Sequence, residues 1–227
     1  MSPPEPSPLA TDSRRGVRDF ARDTGSALIL VLLLTALLSA AGASVMLMTD
    51  IDALAGANRR DAAEVTYAAE AVAEYAVHTL AGRPDWNAAL QGGAGLIMSG
   101  SFALPPAAGG GLVDLVAQTV EVQRAAYGSG VWGADTPQWR VFGHGIPGRD
   151  LPIASMSPDV YAFVWVSDDV TEDDGVATMD GNGMVVVRAR AFGRRGSRCD
   201  VQIVVARTSV PGIIQRLSSK TMRPVLS

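Results

Sequence analysis

The stretch that decides the fold is residues 26–80, and it opens with the uncharged apolar run Ala27-Leu28-Ile29-Leu30-Val31-Leu32-Leu33-Leu34-Thr35-Ala36-Leu37-Leu38. No charged side chain follows until Asp50. At the rise of an α-helix, residues 27–48 reach roughly 33 Å, which is enough to cross a bilayer core of about 30 Å. This segment is therefore predicted to be a transmembrane helix.

The helical pattern continues beyond the apolar run. Residues 50–80 contain no proline, and one stripe at helical spacing carries Ile51, Leu54, Asn58, Ala62, Val65, Ala69, Val72, Ala76 and Leu80, of which only Asn58 is polar. A glycine at position 82 and a proline at position 84 supply a stop signal. We predict one long helix over residues 26–82, with a transmembrane first half and an amphipathic second half.

Charge is distributed unevenly around the apolar run. The first charges after it are Asp50 and Asp52, whereas the residues before it include Arg14, Arg15, Arg18 and Arg22. Because basic residues flanking a membrane segment tend to stay in the cytoplasm, we expect a cytoplasmic N-terminus and an exported C-terminal part. Residues 1–25 begin with a proline-rich segment and are predicted to form a disordered cytoplasmic leader.

Four segments further along the chain have the pattern of β-strands. Residues 160–166 form a continuous β-branched and aromatic run, residues 184–192 alternate between apolar and polar, and residues 139–142 and 201–205 are shorter candidates. Residues 193–197 have a length suited to a β-hairpin, and a longer acidic loop at residues 168–183 joins the preceding pair of segments, so we expect an antiparallel meander. The alternation places Arg188 and Arg190 on the polar face of their strand.

The remaining segments are assigned by composition. Residues 83–111 are rich in glycine and proline and are predicted to be a linker. Residues 112–124 are ambiguous, although their valines favour a strand over a helix. Residues 112–209 together form the predicted antiparallel β domain, and residues 210–227 are a C-terminal tail without assigned structure.

These elements predict an α+β fold in which the long N-terminal helix packs on a small antiparallel β-sheet. A sheet of this size has an apolar face that needs a cover. The striped half of the helix is the expected cover.

Composition argues against several classes of function. The net charge of −4 leaves no basic face for nucleic acid, and the single cysteine, Cys199, cannot form an internal disulfide. Residues 128–133 match G-x-G-x-x-G, but no helix-opening sequence follows them. His78 and His144 have no cysteine or second histidine at ligand spacing. We therefore expect a protein that is not an enzyme.

An acidic segment connects the two longest strand candidates. Its oxygen-bearing side chains include Asp168, Asp169, Asp173, Asp174, Asp180 and Asn182, with Glu172 among them. Calcium takes six to eight oxygen ligands, so this loop is a candidate calcium site, although its spacing does not fit an EF-hand. The alternative is a solvated loop held near the arginines of the neighbouring strands. No other cofactor is predicted.

Several of these features together resemble type IV pilin-like proteins. A basic leader precedes Gly25-Ser26, an apolar helix and an amphipathic extension follow, and an antiparallel sheet comes last. The stretch 25–34, together with Asn58-Arg59-Arg60-Asp61-Ala62 and Tyr67-Ala68-Ala69-Glu70-Ala71, is similar to the N-terminal region of PilX-type minor pilins. Residues 139–142 and 161–169 are similar to later segments of such pilus assembly proteins.

The resemblance implies a function in assembly. Prepilin peptidase would cut between Gly25 and Ser26, and the protein would be a minor pilin or pseudopilin of a type IV pilus or a type II secretion-like filament. Its partners would be other pilins or pseudopilins, the peptidase and lipid of the bacterial inner membrane, with the C-terminal domain periplasmic or carried into the pilus. Major pilins have glutamate at the fifth mature position, where this chain has Leu30, so an abundant repeating subunit is disfavoured.

Two other interpretations stay open. Residues 1–43 could be a signal peptide, because Ala41-Gly42-Ala43 is similar to a signal peptidase site, and the product would then be a soluble exported binding domain. A plain single-pass anchor is the other alternative.

Overall fold

The computed structural model describes residues 17–92, 102–127, 136–150, 156–172 and 174–222. Side chains within the first and third helices are described for residues 25–81 and 115–125. The chain divides into two compact units, Met1–Gly56 and Ala57–Ser227. The helices are α1 (Val17–Ala81), α2 (Asn87–Leu90), α3 (Leu115–Tyr127) and α4 (Pro147–Asp150), and the strands are β1 (Arg140–Gly145), β2 (Tyr161–Asp168), β3 (Met184–Phe192), β4 (Arg198–Arg207) and β5 (Ile214–Met222).

Helix α1 confirms the predicted long N-terminal helix and begins earlier than expected. It has 65 residues and starts at Val17, nine positions before Ser26, within the segment assigned to a disordered leader. Residues 17–25 contain no proline and include several good helix formers, so an adjoining helix can extend through them at little cost. The rest of the predicted leader, residues 1–16, lies outside the described residues.

The β-strands form one five-stranded antiparallel sheet in the order β1-β2-β3-β4-β5. This meander and the α+β fold class are confirmed. The pairing of β2 with β3 sets Trp165 beside Arg188, and that of β3 with β4 sets Arg190 beside Asp200. Residues alternate between the two faces of each strand, so the sheet has two different surfaces to cover.

The C-terminal part of α1 covers one face, which we call the α1 face. From Val65 onward the predicted stripe is buried, and Val72, Ala76 and Leu80 have no exposed surface. They pack against the apolar side chains of alternate positions, including Val164, Val166, Val187, Ala189, Val201 and Ile203. The prediction that the helix covers the sheet is confirmed for residues 65–80, whereas Ile51 and Leu54 remain exposed.

Helix α3 lies over the other face, the α3 face, and corrects a prediction. Residues 115–127 are helical, not a strand. Val122 is buried against Tyr161, Phe163 and Trp165, whose rings are stacked or tilted on one another. Asp114 caps the helix, its Oδ1 accepting a hydrogen bond from the backbone N–H of Ala117. The local valines have β propensity, and this tertiary packing with a capped start overrides it.

The predicted linker and tail also differ from expectation. Trp86 and Leu90 are fully buried in the core of the α1 face, and Trp86 donates its indole N–H to the carbonyl of Leu80 at 2.9 Å. Residues 86–90 of the predicted linker therefore belong to the folded core. Residues 93–101 lie outside the described residues. The tail contributes strand β5, which pairs with β4.

The β3–β4 hairpin meets α1 at a glycine. A Cβ atom added to Gly193 would lie 2.3 Å from Cγ2 of Val65. Real Cβ atoms do not approach so closely, so only glycine lets the hairpin backbone lie against the helix here.

Candidate functional site

One candidate surface is the apolar part of α1 from Leu28 to Leu54. Its large apolar side chains between Leu28 and Leu54 each expose 57–73% of their surface. Residues 25–81 are long and apolar enough to cross a membrane, and no residue of the most apolar window is buried within the protein. An N-terminal signal sequence would satisfy the same criteria of length and composition. An apolar surface of this size requires lipid or protein as its neighbour.

Three of the hydroxyl groups on this part of α1 form hydrogen bonds within the helix. Thr35 donates to the carbonyl of Leu32, and Ser44 donates to that of Ala40, each at 2.9 Å. Thr49 bonds in the same way to Val45. These hydroxyls can therefore lie in hydrocarbon without a water partner, as a helix in a bilayer requires.

The predicted processing site lies on the same helix. Gly25 and Ser26 are both exposed and both helical. A Cβ atom at Gly25 would meet nothing within 4 Å, so packing does not require glycine at this position. No packing contact among the described residues explains why position 25 is a glycine.

The acidic loop brings together part of the predicted metal set. One carboxylate oxygen each from Asp168, Asp169 and Glu172 lies within 4.8 Å of the others. Asp168 is the last residue of β2, and Asp169 begins the connection to β3. Both are buried, whereas Glu172 is half-buried. The Oε2 atom of Glu172 is buried and has no hydrogen-bond partner among the residues that the structure describes.

The electrostatics of this cluster reflect burial. Burial, together with the nearby charges of Glu172, Asp169 and Asp180, raises the pKa of Asp168 from 3.8 to about 7, although the backbone N–H of Asp169 opposes the shift. The pKa of Glu172 is also raised by burial, with further repulsion from Asp174. Three carboxyl groups held so close together favour either a bound cation or a bound proton.

The other predicted ligands are arranged less favourably. Asn182 points its amide nitrogen at Asp169, and its oxygen accepts a hydrogen bond from the backbone N–H of Met184. Asp180 accepts from the backbone N–H of Gly183 at 2.7 Å. Asp174 is exposed, and Asp173 lies outside the described residues. The candidate cluster is therefore Asp168, Asp169 and Glu172, three of the oxygen-bearing side chains of the acidic segment in which calcium was predicted.

The face of β3 that was predicted to be polar carries a buried ionic cluster beneath α3, formed around Arg188 and Arg190. Arg190 is 1% exposed and donates two hydrogen bonds to Asp200, each at 2.8 Å, while Arg188 donates to the same carboxylate at 2.6 Å. Arg190 also donates to Gln118 and Glu121 of α3. The guanidinium groups lower the pKa of Asp200, although its burial opposes them.

This cluster was missed because a strand pattern alone does not show what covers each face. The available signal was the register, which places Asp200 directly beside Arg190 in the hairpin. The cluster holds α3 on the sheet through charge-assisted hydrogen bonds and has no reactive geometry of its own.

The remaining candidates for chemistry are structural. Nδ1 of His144 lies 3.2 Å from the hydroxyl of Tyr161, and burial lowers the pKa of His144. His78 is exposed on α1, and Cys199 is buried. The G-x-G-x-x-G match at residues 128–133 lies outside the described residues.

A cavity of about 510 Å³ lies beside the turn between β4 and β5. It is lined by the end of α1 and the segment after it, including Trp86, by Arg207 at the end of β4, and by the turn, including Ile213. The guanidinium of Arg207 stacks over the indole of Trp86 at 4.3 Å. The sequence predicted no site here.

Comparisons of the chain with protein-family models, with curated protein sequences and with solved structures found no match. The resemblance to pilin-like proteins therefore stays a prediction.

Proposed function

We propose that the protein is a minor pilin or pseudopilin of the PilX type, which acts by assembly into a filament and carries out no catalysis. The observation that carries this proposal is helix α1, which is unbroken from Val17 to Ala81. Its N-terminal part, between Leu28 and Leu54, is exposed and apolar, and its C-terminal part, residues 65–80, covers a β-sheet. One element thus supplies both an anchor and the spine of a folded domain.

The proposed mechanism follows from the charge on the leader. Cytoplasmic arginines before the apolar segment are costly to move through a bilayer, so they retain the precursor in the inner membrane. Cleavage between Gly25 and Ser26 would remove this restraint. The apolar helix could then leave lipid and pack beside other pilin helices, where small residues such as Ala36 and Ala40 permit close approach.

N-terminal sequencing tests this proposal most directly. The chain would be produced in a bacterium with a prepilin peptidase, and the mature protein would be isolated from membranes. A start at Ser26 supports the proposal, a start at Ser44 indicates a signal peptide, and retention of Met1 indicates a plain anchor. Substituting Gly25 with leucine should block cleavage at Ser26, while the matched change at Gly42 should leave it intact.

Cross-linking tests the assembly step separately. The native cysteine, Cys199, is buried, so a cysteine introduced at Ala36 would be the accessible thiol on the exposed helix surface. We expect this variant to cross-link to pilin chains in membranes. A mature protein that lacks residue 36, or that forms no cross-links to another pilin, contradicts filament assembly.

A second candidate function is calcium binding at the acidic loop. The favouring observation is the buried, unpartnered Oε2 atom of Glu172 beside the buried carboxyl groups of Asp168 and Asp169. Calcium would neutralise these groups and order the connection between β2 and β3.

A further inference from the structure

Strand β5 forms one edge of the sheet. It pairs with β4 along one side from Ile214 to Met222, and no strand within the described residues pairs with its other side. The seven residues between these two ends are all exposed. An exposed strand of this length presents a row of backbone N–H and C=O groups to which another extended chain can bond.

The charges on β5 have one sign. Its charged side chains are Arg216 and Lys220, and both are exposed. The register places Arg216 beside Val205 on the α1 face and Lys220 beside Gln202 on the α3 face, with a bulge between them. An added strand would therefore meet a basic side chain on either face of the sheet.

These charges disfavour a second copy of the same strand. Antiparallel pairing of two β5 strands would bring Arg216 and Lys220 of both copies to one seam without any acidic side chain from β5, and pairing centred on Arg216 or on Lys220 would set that residue opposite its own copy. Like charges directly opposite each other destabilise a strand pair. An extended segment with acidic side chains would instead gain from the same two positions.

Arg216 already has a partner that it can exchange. It forms an ion pair with Glu74 of α1, in which the two side chains are 44% and 50% exposed. Exposed ion pairs contribute little to stability because water competes with them. Turning Arg216 toward a new carboxylate therefore costs little.

The cavity beside the β4–β5 turn continues this surface. Ile214, the first residue of β5, belongs to its lining, as do Arg207 and Val210. The lining contains apolar side chains, the two arginines Arg83 and Arg207, the hydroxyl residues Thr208 and Ser209, and no acidic side chain. It offers a place for an apolar residue at one end of a bound segment, and such anchors carry much of the affinity of an interface.

We infer that the β5 edge binds an extended, acidic segment of a different polypeptide, which adds a sixth strand to the sheet and places an apolar end residue in the cavity. This inference concerns the folded domain and does not depend on the filament proposal. The backbone of β5 would supply the hydrogen bonds, and Arg216 and Lys220 would select acidic partners.

The test uses the full chain in detergent micelles and a fluorescent nonapeptide that has one terminal leucine, two glutamates three positions apart and threonine elsewhere, so that the two glutamates project from opposite faces of the added strand. Fluorescence anisotropy measures binding, and amide hydrogen exchange locates it. We expect slower exchange in β5, and binding about ten-fold weaker when lysine replaces glutamate in the peptide. A peptide with a central proline should lose binding, because it cannot complete the ladder.

Charge reversal tests the two basic residues. The double change Arg216→Glu and Lys220→Glu should weaken binding about ten-fold. The matched control, Arg59→Glu with Arg60→Glu on the exposed surface of α1, changes the net charge equally and should leave binding unchanged.

Any of four results in the peptide experiments would overturn the inference. They are equal binding of the lysine peptide, equal weakening by both double variants, retained binding of the proline peptide, and protection that appears in another element and not in β5. Protection of β5 that rises with protein concentration in the absence of peptide would identify a second copy as the occupant and would also overturn it. Because the peptide variants leave the protein unchanged, misfolding cannot obscure the result.

Discussion

Replacing Gly193 with alanine should destabilise the folded domain by forcing the β3–β4 hairpin away from α1. The new Cβ atom would lie 2.3 Å from Cγ2 of Val65 and 2.9 Å from Oγ of Ser197. The serine hydroxyl can rotate away, but a valine side chain in a helix is restricted to one main rotamer. The backbone of Gly193 has φ −130°, which alanine adopts without strain. The steric contact therefore decides the outcome.

The expected magnitude follows from the size of the overlap. Apolar carbons prefer a separation of about 3.5–4 Å, so the helix or the hairpin must move by more than about 1 Å. Overpacking of this kind costs about 1–3 kcal/mol. Without the contact, the substitution would stabilise the domain by about 0.4–1 kcal/mol, because alanine restricts the unfolded chain.

A double-mutant cycle isolates the contact. Val65→Ala alone removes two methyl groups and should cost about 2 kcal/mol, including the cavity that it leaves. Combined with Gly193→Ala, it removes the overlap, so the double variant should be about 1–2 kcal/mol more stable than the sum of the single effects predicts. Gly82→Ala is the control, because its nearest new contact is 3.7 Å away.

Urea unfolding of the full chain in micelles, followed by tryptophan fluorescence, measures these changes in free energy. Residues Trp86 and Trp165 are fully buried in the cores of the two sheet faces, so their emission reports loss of both. If Gly193→Ala is as stable as the parent, or if the two substitutions are additive, the close approach of hairpin and helix is refuted.

Three further predictions concern buried charge. Asp200→Ala should lower the free energy of unfolding by about 3–5 kcal/mol in urea, because it leaves Arg188 and Arg190 buried without their carboxylate. The double change Asp200→Leu with Arg190→Met should lower it clearly less. Equal losses of stability in the two variants would contradict the role of the ion pair. Ionisation of Asp168, whose pKa is raised to about 7, should lower stability as the pH rises from about 4 to 7, because the folded state holds its proton more tightly than the unfolded chain does. If the loop binds calcium, a hundred-fold excess over Kd should add about 3 kcal/mol at pH 8 and much less at pH 5, and Asp168→Asn should abolish the gain. A melting curve unaffected by millimolar calcium or by chelator would exclude the site.

Local sequence predicted the elements whose pattern is independent of their surroundings. Strand β2 is apolar on both faces, and the structure buries it on both faces. The stripe of α1 was visible from spacing, although spacing could not show that burial begins only at Val65. The reason is that periodicity identifies a face, whereas the length of the sheet decides how much of that face is covered.

The acidic loop shows the same limit within a candidate site. Composition indicated a cluster of oxygen ligands, and the chain does bring Asp168 and Asp169 close together. Composition could not show that Asn182 uses its oxygen for the backbone of Met184 or that Glu172 turns inward with a buried oxygen. Those details depend on how the loop folds across the end of the sheet.

The sequence by itself determined the long helix, its apolar front, the order of four of the strands and the antiparallel connections between them, because these depend on periodicity and on short connections. Only the tertiary structure decided that residues 115–127 form a helix, that Arg188 and Arg190 are buried, and that β5 forms an edge. In each case the deciding interaction joins residues far apart in the chain, such as Arg190 with Gln118 and Glu121. A local sequence pattern does not predict such contacts, because their favourable free energy is gained only when α3 packs against the sheet.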